Sequence, residues 1–206
     1  MFYKSTDLNS KQNYKFLSGS VIPRPIAWVT SLSADGLIVN AAPFSFYNVV
    51  ASDIPLIMIA VMRENNGQQK HTAANILKRH EAVVHVADLN NKVALNTTSA
   101  SIDKNLSEID LAHLKLEDSC LIGVPRIKGT PIQLETTLYK YIPLKNNAQK
   151  VMTDLLLLHV VGYHFSDDVF DKNKEYLKSK KIAPISRLAG NTFAELGKEF
   201  ELKRPK

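Results

Sequence analysis

Ile26-Ala27-Trp28-Val29-Thr30-Ser31-Leu32-Ser33-Ala34-Asp35-Gly36-Leu37-Ile38-Val39-Asn40-Ala41 is the stretch from which the fold can be read. Two β-prone runs, 26–32 and 37–41, flank Ser33-Ala34-Asp35-Gly36, and Asp-Gly between apolar runs is a strong hairpin signal. The two runs are expected to pair. Two further strands are expected at 45–50 and 56–62, divided by Asp53-Ile54-Pro55, and the second is apolar almost throughout, as a buried strand is. Four strands in close succession point to an antiparallel barrel or sandwich.

Downstream of the polar turn Glu64-Asn65-Asn66-Gly67, residues 70–79 read as an amphipathic helix. Thr72 precedes Ala73, Ala74, Ile76 and Leu77, and Lys78, Arg79 and His80 close the last turn. A strand is expected at 82–87 and a second helical segment at 90–100. The pattern weakens over 104–131, then returns as strands at 133–141 and 155–165 with Asn146-Asn147 at the turn between them. The rest, from about residue 166, is Lys-rich and weakly periodic, and it reads as a peripheral excursion of a single domain spanning 1–206.

A hydrophobic share of 45% and a charged share of 22% are those of an ordinary folded domain and argue against disorder, collagen or coiled coil. The net charge of +6 has no interleaved aromatics or recognised motif that would direct it to nucleic acid, so it reads as a solvated basic surface. One cysteine, Cys120, allows no intrachain disulfide and is expected as a buried or half-buried thiol. His80 and His85, and His159 and His164, are each five apart, on opposite faces of any continuous strand, which argues against a metal site. The start of the chain turns polar at once and the longest apolar runs are too short to span a bilayer, so a cytoplasmic protein with no membrane partner is expected.

Chemistry is suggested where donors converge. Thr30 and Ser31 end one strand, Asn40 ends its partner, and Ser45 begins the third. Lys70 and Thr72 stand at a helix start, where free N–H groups and the positive dipole end favour an anion. Singly, such Ser and Thr residues are more often caps and turn formers. Together they describe an anion-binding β-barrel.

The segment Gly19-Ser20-Val21-Ile22-Pro23-Arg24-Pro25-Ile26-Ala27-Trp28-Val29-Thr30, then Gly36, then Asn40-Ala41-Ala42-Pro43-Phe44-Ser45-Phe46-Tyr47, resembles the flavin reductase family. Lys70-His71-Thr72 with Asn75-Ile76 is similar to that family's Lys-Asp-Thr and Asn-Ile elements, His71 standing where the family usually has Asp. Pro184-Ile185-Ser186-Arg187-Leu188-Ala189-Gly190 is similar to its closing Arg-Leu-Gly-Gly segment, with Ala189 in place of a Gly. The resemblance implies a mainly β fold with peripheral helices, a split β-barrel homodimer holding FMN noncovalently with the ring near the subunit interface.

Carried over residue by residue, it implies FMN contacts at Thr30, Ser31, Leu32, Asn40, Ala42, Pro43, Ser45, Lys70 and Thr72. The backbone around Thr30 to Leu32 and Ala42 would meet the ring, and Ser45, Lys70 and Thr72 the phosphate. Arg24 and Arg187 are further candidates. The implied activity is that of an NAD(P)H-dependent flavin reductase or related electron carrier, passing electrons to a small-molecule acceptor or a monooxygenase partner. A noncatalytic flavin or small-anion binder on the same fold is the alternative. No acid, base or nucleophile is singled out, because a flavin carries the electrons itself.

Overall fold

The Asp35-Gly36 turn forms as its residues require. Asp35 Oδ1 accepts from Ser33 Oγ (2.5 Å) and Leu37 N (3.1 Å), and Gly36 takes φ +80°, a conformation open to glycine without strain. The Ser33 hydroxyl, followed by the Leu37 amide, holds the Asp35 carboxyl below its ordinary pKa. The turn joins β1 (Ala27–Leu32) to β2 (Val39–Phe44), paired antiparallel from Ala27 opposite Phe44 to Leu32 opposite Val39. The structure, a computed structural model, describes residues 1–205.

β3 (Tyr47–Ala51) and β4 (Leu56–Met62) follow, then α1 (Ser10–Ser20) and α2 (His71–Arg79) stand before them and after them in the chain. β5 (Glu81–Val86), α3 (Lys92–Thr97), α4 (Glu108–Leu111), β6 (Leu116–Glu117) and β7 (Arg126–Ile127) lead to the long hairpin of β8 (Ile132–Lys145) and β9 (Val151–Phe165). Seven strands form one antiparallel sheet in the order β2-β1-β5-β8-β9-β4-β3. Register shifts at Glu135/Thr136, Leu138/Lys140 and Leu144/Lys145 mark irregularities of the bulge kind, which bend a strand and increase its twist. The sheet curls until β2 lies against β4. This is a split β-barrel with peripheral helices.

All six residues of β1 are buried, because both faces of the strand are covered. Ala27 and Val29 enter the barrel core with Ile57, Ile59, Leu156 and Leu158. Trp28 points the other way, into a second cluster with Leu95, Ile109, Ile127 and Ile185, and its indole N–H donates to Thr98 Oγ1 (2.9 Å). Ala73 and Ile76 of α2, three apart and therefore on one face, complete the barrel core.

The segment expected to be peripheral is tied into this frame. It contains β10 (Phe170–Asp171), β11 (Tyr176–Leu177), α5 (Ser179–Ile182), β12 (Ile185–Arg187) and β13 (Phe193–Glu195). Val169 and Ile185 reach the two cores, and the backbones of Arg24 and Arg187 bridge through two hydrogen bonds of 3.0 and 2.9 Å. Helix α1 is not foreshadowed by hydrophobic periodicity, since Ser18 alone is buried. A capping box starts it, with Asn9 and Gln12 exchanging side-chain to backbone bonds.

His85 lies fully buried between the two cores. Ile127 N donates to Nε2 (2.9 Å), which leaves the ring proton on Nδ1 to donate to Trp28 O (2.8 Å). Burial pushes its pKa down to about 4, and the Arg126 charge works in the same direction. The group binds a proton in the unfolded chain and not in the folded one between pH 6.5 and about 4, so its contribution is full above 6.5 and is lost as pH falls through that window. The loss is about 1.4 kcal/mol per pH unit, about 3 kcal/mol in all. The His85 ring resonances are expected to stay constant from pH 8 to pH 5 by NMR, and a midpoint near 6.5 would contradict this reading.

Candidate functional site

A cleft of about 440 Å³ opens where β2, the first turn of α2, the end of α3, α4 and the closing hairpin β12–β13 meet. Six of the nine residues picked from the sequence line it: Asn40, Ala42, Pro43, Ser45, Lys70 and Thr72. Arg24 and Arg187 line it too.

Thr30, Ser31 and Leu32 stand behind the wall. Thr30 Oγ1 donates to Pro125 O (2.8 Å), Leu32 packs with Val83 and Val124, and Ser31 bonds Asn40 and Asn75. Thr30, Ser31 and Leu32 stand opposite Ala41, Asn40 and Val39 of β2, and the pairing with β5 ends at Thr30. None of the three is among the lining residues, because β1 is an interior strand and β2 shields it.

The cationic end is built on α2. Lys70 is the cap residue of this helix, with extended backbone and no side-chain cap bond, whereas caps are usually Ser, Thr, Asp or Asn. The first-turn N–H groups and the positive dipole end are therefore available to an anion, with the exposed Lys70 ammonium beside them. Neither Lys70 nor Arg187 makes an ion pair among the described residues. Arg187 lies over the Phe193 ring at 4.4 Å and donates to Gly190 O (2.5 Å). His71 is half-buried on the cleft wall.

Arg24 is largely committed elsewhere. Its guanidinium donates to Ser18 O (2.5 Å), Val21 O (2.8 Å) and Leu188 O (2.9 Å), closing the end of α1 and holding the tail. Its Nε donates to Ser45 Oγ (3.3 Å), which leaves the Ser45 hydroxyl proton for a ligand.

A buried polar chain backs the cleft. Asn40 Oδ1 accepts from Thr72 Oγ1 (2.7 Å) and Ser31 Oγ (3.3 Å), and Asn40 Nδ2 donates to Glu108 Oε2 (2.7 Å). Ala41 N donates to the same Glu108 oxygen (3.1 Å). The turn before Lys70 is anchored separately at Asp154. That carboxylate accepts from Arg63 through Nε (3.1 Å) and Nη2 (2.9 Å), from Gln69 Nε2 (3.1 Å) and from Tyr141 OH (2.7 Å). Burial raises its pKa, but the hydrogen bonds from Arg63, Tyr141 and Gln69 outweigh it and hold the carboxyl below its ordinary value.

Sequence reasoning missed Glu108, Asn96, Ser99, Ser101 and Asn191 on the cleft wall. Ser107, which caps α4 through Ile109 N (3.2 Å), was the available signal, yet four residues of helix are too few to show periodicity. Cys120, expected to be buried or half-buried, is exposed. Its Sγ, a Glu135 oxygen and a His164 nitrogen lie within 4.8 Å of one another. Glu135 is already satisfied there, accepting from Cys120 N (2.7 Å), Leu121 N (2.7 Å) and His164 Nε2 (2.5 Å), which pins the 118–124 loop.

The fold is a split barrel with a cleft at the mouth of its first hairpin, carrying Lys70 and Arg187 on its wall. The chain belongs to the flavin reductase like domain family, whose model matches residues 18–181. It is 45% identical over 98% of its length to a protein of Bacillus subtilis, the uncharacterized protein YwrF, of which it covers 98%. Among solved structures it is similar to nitrilotriacetate monooxygenase component B from Bacillus cereus, with a TM-score of 0.94, 39% identity and 98% of each chain covered. It is also similar to the 2-nitrobenzoate 2-nitroreductase NbaA of Pseudomonas fluorescens, with a TM-score of 0.86 and 29% identity over 100% of this chain and 96% of that one.

Because Asn40 links both sides of the polar chain, Asn40→Ala leaves the buried Thr72 hydroxyl without its acceptor and takes one of two donors from Glu108 Oε2 and one of two partners from Ser31 Oγ. Urea denaturation is expected to show a loss of about 2–4 kcal/mol, the cost of buried groups left unpaired.

Proposed function

We propose that this chain binds FMN in the cleft and works as an NAD(P)H-dependent flavin oxidoreductase. The observation that carries the reading is the uncapped first turn of α2, with Lys70 beside it and Arg187 across the cleft, facing a wall of hydroxyl and amide groups. This donor set fits a phosphate joined to a polyol. Family membership and the likeness to a monooxygenase component and a nitroreductase support a redox role.

Lys70, the α2 amides and the Ser45 hydroxyl would hold the phosphate. Ala42, Pro43 and Phe44 would supply the apolar wall that a flat ring needs. Flavin, when bound, supplies hydride and electron transfer between a nicotinamide donor and an acceptor. The protein's part is to bind, orient and limit access.

The acceptor in this reading is a small molecule, or flavin handed to a monooxygenase partner. A second groove, lined by Ile22, Pro23, Pro25, Tyr47 and Val49, carries mostly apolar surface. Val49 stands on β3, one of the sheet's two edge strands, and is 69% exposed. We assign this face to a homodimer contact. Val49→Asp is expected to shift the wild-type dimer to monomer in sedimentation velocity, and a wild-type monomer would refute the assignment. No described helix is long and apolar enough to cross a membrane.

The purified protein is expected to show, or acquire with added FMN, a flavin absorbance spectrum, and to oxidise NADH or NADPH. Bound flavin without such oxidation would make it a binder, and failure to bind FMN would remove the reading altogether. Lys70→Ala is expected to weaken FMN about tenfold and leave riboflavin, which has no phosphate, unchanged.

A further inference from the structure

We propose that Glu108 reads the polyol chain of the flavin, its Oε1 accepting a hydrogen bond from a ribityl hydroxyl. The inference rests on the flavin reading above and assigns a ligand contact to a residue outside the motifs from which that reading was drawn.

Glu108 is only 4% exposed and yet it lines the cleft. Its two protein donors, Asn40 Nδ2 and Ala41 N, both bond Oε2. Oε1 accepts nothing from the protein, and since no fully enclosed side-chain polar atom lacks a partner among the described residues, this oxygen keeps surface open to the cleft. No Lys, Arg or His pairs with the carboxylate there. A nearly buried carboxylate with one oxygen open to the cleft is placed to exchange water for a ligand donor there.

The chemistry of that donor follows from the surroundings. A carboxylate repels phosphate and gives nothing to the ring carbonyls, which are acceptors too. Oxidised FMN donates only through its ribityl hydroxyls and the ring N3–H. Glu108 is separated from Thr72, at the phosphate end, by the single amide of Asn40, with 2.7 Å bonds on either side. That is the reach of the polyol next to the phosphate, whereas N3 lies at the far end of the ring. The same charge fixes direction, since a ligand entering with its phosphate toward α4 would meet Glu108 instead of Lys70.

In Glu108→Gln the amide oxygen can keep the Asn40 and Ala41 bonds, turning an NH2 group into the cleft in place of the acceptor. Binding of FMN, riboflavin and lumiflavin, which lacks the hydroxylated chain, is then measured by fluorescence titration for wild type and variant. FMN and riboflavin are expected to weaken about tenfold in the variant, with lumiflavin unchanged. Unchanged riboflavin affinity, or an equal loss for lumiflavin, overturns the proposal while leaving flavin binding intact. Wild type binding none of the three overturns the flavin reading itself. Should the variant fail to fold, wild type alone decides: riboflavin binding no tighter than lumiflavin overturns the proposal.

Discussion

Burial of β1 on both faces is the constraint from which the rest of the molecule follows. A strand with Ala27 and Val29 in the barrel and Trp28 in an outer cluster needs two separate coverings. The curled sheet and α2 supply one, and α3, α4 and the returning tail supply the other. Because β1 is interior, its neighbour β2 becomes the strand that lines the cleft, which forms where the two coverings fail to meet. The same burial forces every polar group near β1 to find a partner, which is why Thr30, Ser31, His85 and Trp28 all have one.

The cleft's charge distribution is a second consequence. Positive groups gather at the α2 end and at Arg187, and a carboxylate, Glu108, sits on α4. Asn40 joins the two regions by accepting on one side and donating on the other. An amide is suited to this place because it offers an acceptor oxygen and a two-proton donor on separate atoms without a charge. Asp154 fixes the turn leading to Lys70 from below, so the cationic end is held by a buried, fully bonded carboxylate on β9.

Much of the fold was legible because its signals are local. The Asp35-Gly36 turn, the apolar run of β4 and the Ala73 and Ile76 spacing of α2 each act within a few residues, and each element formed within a few residues of its expected place. Helix α1 escaped notice because it buries almost nothing, and its capping box was its one mark. The tail escaped because its anchors, Val169, Ile185 and the Arg187 backbone, are single contacts with residues far away in sequence. Of the site, Lys70 and Ser45 could be found by type and place in an element, while Glu108 and Asn191 come from short irregular stretches with no period to follow.

By itself the sequence determined most strands of the main sheet, α2, the first hairpin and the family, since turn chemistry, periodicity and ordered motifs are written along the chain. Only the tertiary structure decided which polar residues face the cleft. Period-two alternation says that Thr30 and Ser31 point to opposite faces, but not that both faces of β1 are covered. The covering arrives from α2, α4 and residues 185–193, and so the wall passed to Asn40, Thr72, Glu108 and Arg187, brought together by packing across long separations.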